Sequence, residues 1–99
     1  MFDILYVESV HQDLKSLKAK DRTRILDKIE EQLTNDPGAT TRNKKEIRGL
    51  DFPWEFEEPA WELRIGEFRV FYDFDEKAKK LTIRAIRHKP LHKTTEDIL

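Results

Sequence analysis

The chain contains no cysteine, only three glycines, four prolines and one methionine in 99 residues. Without Cys there is no disulfide framework, no thiol chemistry and no Cys-based zinc site, so packing alone must hold the fold. No apolar run exceeds four residues, the longest being Ile4-Leu5-Tyr6-Val7. A bilayer core about 30 Å thick needs a far longer run, so no membrane partner or span is expected. Residues 1 to 15 carry Asp3, Glu8 and Asp13 and lack both a basic start and a long apolar block. That excludes a secretory signal there and makes the cytoplasm the expected compartment.

Hydrophobic residues are also sparse, at 37%, while charged residues reach 39%. The core is therefore small and the surface densely charged. Six Phe and two Trp argue against disorder, because each buries a large apolar area. The length suits one domain over residues 1–99. The net charge of -1 exerts no global pull on nucleic acid, yet it is unevenly spread. Asp51, Glu55, Glu57, Glu58 and Glu62 lie in a stretch without Lys or Arg. Lys77, Lys79, Lys80, Arg84, Arg87, Lys89 and Lys93 follow, with His88 and His92 and no acid among them. Such a split can build one basic face that attracts phosphates within a Debye length of about 10 Å. A solvated surface is the alternative.

Phe2 to Val7 is rich in β-branched and aromatic residues and reads as a strand buried on both faces. Ser9 with Gln12 forms a capping-box pattern for a short helix through Leu14 and Leu17. Asp21 is a candidate cap for a second helix, in which Ile25, Leu26, Ile29 and Leu33 recur at helical spacing. Asn35-Asp36-Pro37-Gly38 stops it. Residues 39 to 59 read as a long ordered loop with one short extended piece at Glu46 to Leu50. Trp61, Leu63 and Ile65 then alternate with Glu62 and Arg64. Gly66-Glu67 suits a type II′ turn, and Phe68, Val70, Tyr72 and Phe74 continue the alternation. Leu81, Ile83 and Ala85 mark a last strand to about His88, ended by Pro90. The expected class is α+β. An N-terminal strand and a two-helix hairpin precede a three-stranded antiparallel meander, giving a four-stranded twisted sheet with the helices on one face.

Period-2 geometry sends Trp61, Leu63, Ile65, Phe68, Val70 and Tyr72 to one face, and Glu62, Arg64, Arg69 and Asp73 to the other. If Arg84 and His88 join the second face, the set suits phosphodiester chemistry. Arg offers a planar fork for phosphate oxygens, and imidazole exchanges a proton near neutrality. An RNA-cutting site without metal would draw charge from Arg69, acid or base from His88 or His92, and a second proton carrier from Glu62 or Glu46. The competing account is cross-strand ion pairing, Glu62 with Arg69 or Asp73 with Arg64. No metal site is expected, because Pro90 separates His88 from His92 and breaks the helix that would aim both rings at one ion. His11 reads as a surface residue. Lys15, Lys18 and Arg22 follow one helix face, where solvated decoration is favoured over phosphate contact.

The segment Leu63-Arg64-Ile65-Gly66-Glu67-Phe68-Arg69-Val70-Phe71-Tyr72 resembles the central hairpin of the RelE/ParE toxin superfamily. Thr41 to Lys45, the helical pair and the ending Ile86-Arg87-His88-Lys89 are similar to it in order and spacing, so the resemblance covers nearly the whole chain. It implies the toxin of a bacterial toxin–antitoxin system, a ribosome-dependent, metal-independent mRNA endonuclease that uses no cofactor and inhibits translation. The alternative is a non-hydrolytic binding module, either a ParE-like inhibitor of DNA gyrase or a degenerate relic that only binds an antitoxin. The implied partners are an antitoxin, the ribosome and mRNA. Carried over by position, Arg69 steadies the cleaved phosphate, Arg64 supports it, and Lys89 takes the slot where the family usually has Arg. With His88, His92 and Glu62 these are the candidate catalytic residues. Arg42, Lys44, Lys45, Arg48, Arg84, Arg87 and Lys93 are the candidate RNA-binding residues. Trp54 and Phe56 are expected either to dock the antitoxin or to lid the core.

Overall fold

A computed structural model describes all 99 residues. Strand β1 (Asp3–Tyr6) leads into helices α1 (Glu8–Lys15) and α2 (Ala19–Leu33). Strands β2 (Lys44–Ile47), β3 (Ala60–Ile65), β4 (Phe68–Asp75) and β5 (Lys80–His88) follow, and a short 3₁₀ turn (Glu96–Ile98) ends the chain. The five strands form one sheet in the order β1-β5-β4-β3-β2, with β1 parallel to β5 and the remaining pairs antiparallel.

The helices form where their apolar spacing lets them cover one face of that sheet. Val10 and Leu14 of α1 and Ile25, Ile29 and Leu33 of α2 are buried in one cluster with Trp61, Leu63, Phe68, Val70, Tyr72 and Ile83. Each fully buried Ile or Leu contributes roughly 1.5–3 kcal/mol of burial, so α2 is held mainly by its three-residue stripe. The expected side-chain caps are absent. Val7 precedes α1 in extended geometry and still donates to the Ile83 carbonyl, so strand pairing runs up to the helix and Ser9 falls inside its first turn. Lys18 precedes α2, which places Asp21 in the first turn, where a carboxylate still complements the helix dipole. Arg22 donates to the Leu14 and Leu17 carbonyls at 3.0 and 2.9 Å, so it clamps the end of α1 and does not serve phosphate. His11, Lys15 and Lys18 are exposed.

The sheet corrects three expectations. It has five strands and not four, because Lys44–Ile47 pairs with β3, starting two residues before the expected extended piece. This edge strand is made by backbone pairing, and its charged side chains carry no alternation to announce it. Strand β1 is an edge with Leu5 exposed, not a strand buried on both sides. In β5 an extra residue bulges, since Phe71 faces Ala85 whereas Tyr72 faces Ile83. The bulge shifts the side-chain alternation by one, so Ile86 and not Ala85 joins Ile83 in the core.

Gly66 has φ +57° and Glu67 does not share the positive sign, as a type II′ turn requires. The face away from the helices is partly roofed. Phe52 and Trp54 pack on Phe71 at 6.0 and 5.3 Å between ring centres, and Phe56 stacks edge-on against Phe52. Trp54 and Phe56 are therefore lids on a second small core. Asp73 ties the lid down by accepting the Glu57 N–H at 3.0 Å.

Candidate functional site

Beyond the aromatic lid, the same face carries a row of cations set by strand register. Arg64 on β3 faces Arg69 on β4, which faces Arg87 on β5. Like charges directly opposed across strands are destabilising; Arg69 and Arg87 have partners within the chain that offset this, and Arg64 has none. Next to it lies a cleft of about 210 Å³ lined only by polar residues: Arg42, Asn43, Lys45, Glu62, Arg64, Arg69, Lys89 and Thr95.

Arg69 sits at the floor with its side chain 10% exposed. Its Nη1 donates to the Gly66 and Phe68 carbonyls, both at 2.8 Å, which fixes the guanidinium against the hairpin turn. Burial pulls its pKa below the ordinary Arg value, Glu62 opposes that pull, and Arg64 adds to it. The group stays cationic at any working pH. Arg64 is exposed and makes no ion pair. Lys89 follows β5 directly, and its backbone N–H bonds the Glu67 carbonyl, so the hairpin turn positions it.

Glu62 is the only carboxylate in the cleft, and it is buried. Register places it opposite Lys45, with Oε2 3.6 Å from the ammonium and Oε1 4.0 Å from Arg69 Nε. The Thr95 hydroxyl donates to it at 2.9 Å from the C-terminal segment. The arrangement can hold a phosphate against several cations with one carboxylate at hand to take a proton.

Arg42, Lys45, Glu62, Arg64, Arg69 and Lys89 are thus brought together. His88 is not. The β5 bulge turns it to the helix side of the sheet, where it packs edge-on against Phe68 and lies 3.3 Å from Glu67. His92 is exposed on the turn after Pro90 and does not line the cleft, and the same holds for Lys93. Lys44 is buried, its ammonium donating to the Gln32 carbonyl in the last turn of α2 and the Asp36 carbonyl just after it, at 3.1 and 2.7 Å. Arg84 makes a two-pronged ion pair with buried Asp73 at 2.8 and 3.1 Å. Asp73 therefore pairs with Arg84 and not with Arg64. Arg87 bonds Asp13 at 3.3 Å and lies 5.1 Å over the Trp54 ring. Arg48 pairs with Glu46 at 3.0 Å beside a different cleft, which removes Glu46 from the proton carriers. Each of these cations is spent on structure or points elsewhere. Two lining residues were missed. Asn43 adjoins the basic run and had a local signal; Thr95 had none, because only chain folding carries it back to Glu62.

Neither a protein-family model nor a curated protein sequence matches the chain. Among solved structures, it is similar to the archaeal RelE–RelB complex from Pyrococcus horikoshii OT3, with a TM-score of 0.66 at 21% identity. The match covers 94% of this chain and 98% of that one. The chain has the RelE-like fold. The RelE-like sheet puts the Arg64–Arg69 row on the side the helices leave uncovered. No helix is long and apolar enough to cross a membrane.

Proposed function

We propose that this chain is the toxin of a toxin–antitoxin pair, acting in the cytoplasm as a ribosome-dependent mRNA endonuclease that inhibits translation. The observation that carries this reading is the all-polar cleft in which Arg69, Lys89 and Arg64 surround the single buried carboxylate of Glu62. A phosphodiester seated there meets charge in place before reaction, the condition under which electrostatic stabilisation is strongest. Glu62 takes the proton of the 2′-hydroxyl as O2′ forms its bond to phosphorus. The P–O5′ bond breaks, and a lysine ammonium, Lys45 or Lys89, gives its proton to the departing 5′-oxygen. The products are a 2′,3′-cyclic phosphate and a 5′-hydroxyl. Arg69 and Arg64 hold the extra negative charge of the phosphorane between these steps.

The ribosome is inferred from the resemblance of Leu63 to Tyr72 to the hairpin of the RelE/ParE superfamily, whose RelE branch cuts mRNA on the ribosome. The antitoxin is inferred from the fold relative, whose structure was solved as a RelE–RelB complex. Translation in a reconstituted system, followed by primer extension on the message, tests the reading. New 5′ ends are expected with the wild type and not with Arg69→Ala. Their absence with the wild type refutes the nuclease.

A second reading is favoured by the exclusion of both His88 and His92 from the cleft: a binding module that does not cut, either a gyrase inhibitor or an antitoxin-binding relic. A supercoiling assay separates these two, since gyrase left fully active at micromolar protein removes the inhibitor.

A further inference from the structure

A second cleft, of about 150 Å³, adjoins the first but is built on different elements. Arg24 and Lys28, one turn apart on α2, face Arg64 and the Gly66 turn across it, with Gln32 and Asn43 on its walls. Asn43 and Arg64 line both clefts, so one polar track leads from Lys89 past Arg64 to Lys28. No carboxylate lines the second cleft. Lys28 is paired with Glu31 at 3.3 Å, but that pair is an exposed helical neighbour contact, which water and salt screen.

Arg24 is exposed on α2, with its guanidinium lying beside the Gly66 turn. A Cβ on Gly66 would stand 2.7 Å from Arg24 Nη2 and 3.0 Å from Nη1, so the missing side chain is what lets the guanidinium lie against the turn. This aims a planar fork, the group best matched to phosphate oxygens, along the same track as Arg64. A single phosphate in the first cleft leaves Arg24 without an anion and Lys28 with only its solvent-exposed Glu31 neighbour.

We propose that the second cleft is a phosphate subsite, so that the protein grips two backbone phosphates of one single-stranded RNA. One phosphate lies at Arg69 and Lys89, the other at Arg24 and Lys28, with Arg64 between them. This rests on the RNA reading above and narrows the substrate to an oligonucleotide with more than one internucleotide phosphate. A mononucleotide fills only the first cleft.

The test is salt-dependent binding of the full chain to a fluorescein-labelled single-stranded RNA whose 2′-oxygens are methylated to prevent cutting. Each phosphate contact to a single strand contributes about 0.7 to the slope of log affinity against log salt. Arg24→Gln/Lys28→Gln removes one phosphate contact and should reduce that slope by about 0.7, by the same principle, and weaken binding roughly tenfold at low salt. Lys15→Gln/Lys18→Gln, on exposed positions that line neither cleft, removes the same charge and should leave the slope unchanged. Equal losses in the two double variants would overturn the subsite in favour of diffuse attraction. Weakening by Arg69→Ala but not by the Arg24/Lys28 variant would overturn the subsite and spare the RNA reading. A wild-type chain that binds no RNA would sink both.

Discussion

Arg64 and Arg69 are register partners on neighbouring strands, and Glu62, 4.0 Å from Arg69, is the only carboxylate ion-paired with either. A like-charge pair of this kind trades stability for an anion site. Arg64→Ser should therefore raise stability by about 0.2–0.5 kcal/mol, discounted for its exposure, while weakening RNA binding. A gain of roughly 1–3 °C in melting temperature with a lower RNA affinity is expected. A drop in melting temperature would mean that the row has a structural partner.

Glu62→Gln separates binding from chemistry. Removing the one negative charge from a cationic cleft should tighten RNA binding, while losing the proton acceptor slows cutting by about 10²–10⁴-fold. Binding measured by fluorescence anisotropy and cutting measured by primer extension should move in opposite directions. Cutting at the wild-type rate would remove Glu62 from the reaction.

Lys44 opens the edge strand β2 within a basic run, yet its ammonium is buried on backbone carbonyls at the end of α2. Lys44→Met keeps the aliphatic stem and loses two charge-assisted hydrogen bonds. It should destabilise the fold by about 1–3 kcal/mol and leave RNA affinity and its salt slope unchanged. Urea denaturation paired with the binding assay checks this, and a reduced slope would return Lys44 to the RNA surface.

Tyr72 links stability to alkaline pH. Its hydroxyl donates to the Pro37 carbonyl at 2.7 Å, and burial, with Asp36 adding to it, holds the phenol well above its ordinary value. The unfolded phenol loses its proton near pH 10, about the model-peptide value, whereas the folded one keeps it. The unfolded state then binds fewer protons, so the contribution is complete below about pH 10 and is lost as the pH rises beyond it. Tyr6 is shifted the same way, by burial and then by Glu30. The urea midpoint should start to fall as the pH rises above about 10, the reference value, and continue to fall beyond it. Tyr72→Phe should flatten part of the fall, at a cost of about 1 kcal/mol at neutral pH. An unchanged fall in the variant would assign it to other groups.

Local pattern alone determined the β3–β4 hairpin, its turn at Gly66, the face assignment of Arg64, Arg69 and Glu62, and the apolar stripe of α2. These are legible because side-chain period reports which way consecutive residues point, and a glycine with positive φ reports its own turn. Three features were decided only by the tertiary structure. The one-residue bulge in β5 sent His88 to the opposite side from Arg69. Edge pairing of β2 put Lys45 beside Glu62 and buried Lys44. The returning C-terminal segment delivered Thr95 to the cleft. The physical reason is common to all three. Strand pairing and chain return are made by backbone groups that every residue carries, so a bulge, an edge strand without side-chain alternation and a returning tail leave no mark on residue type.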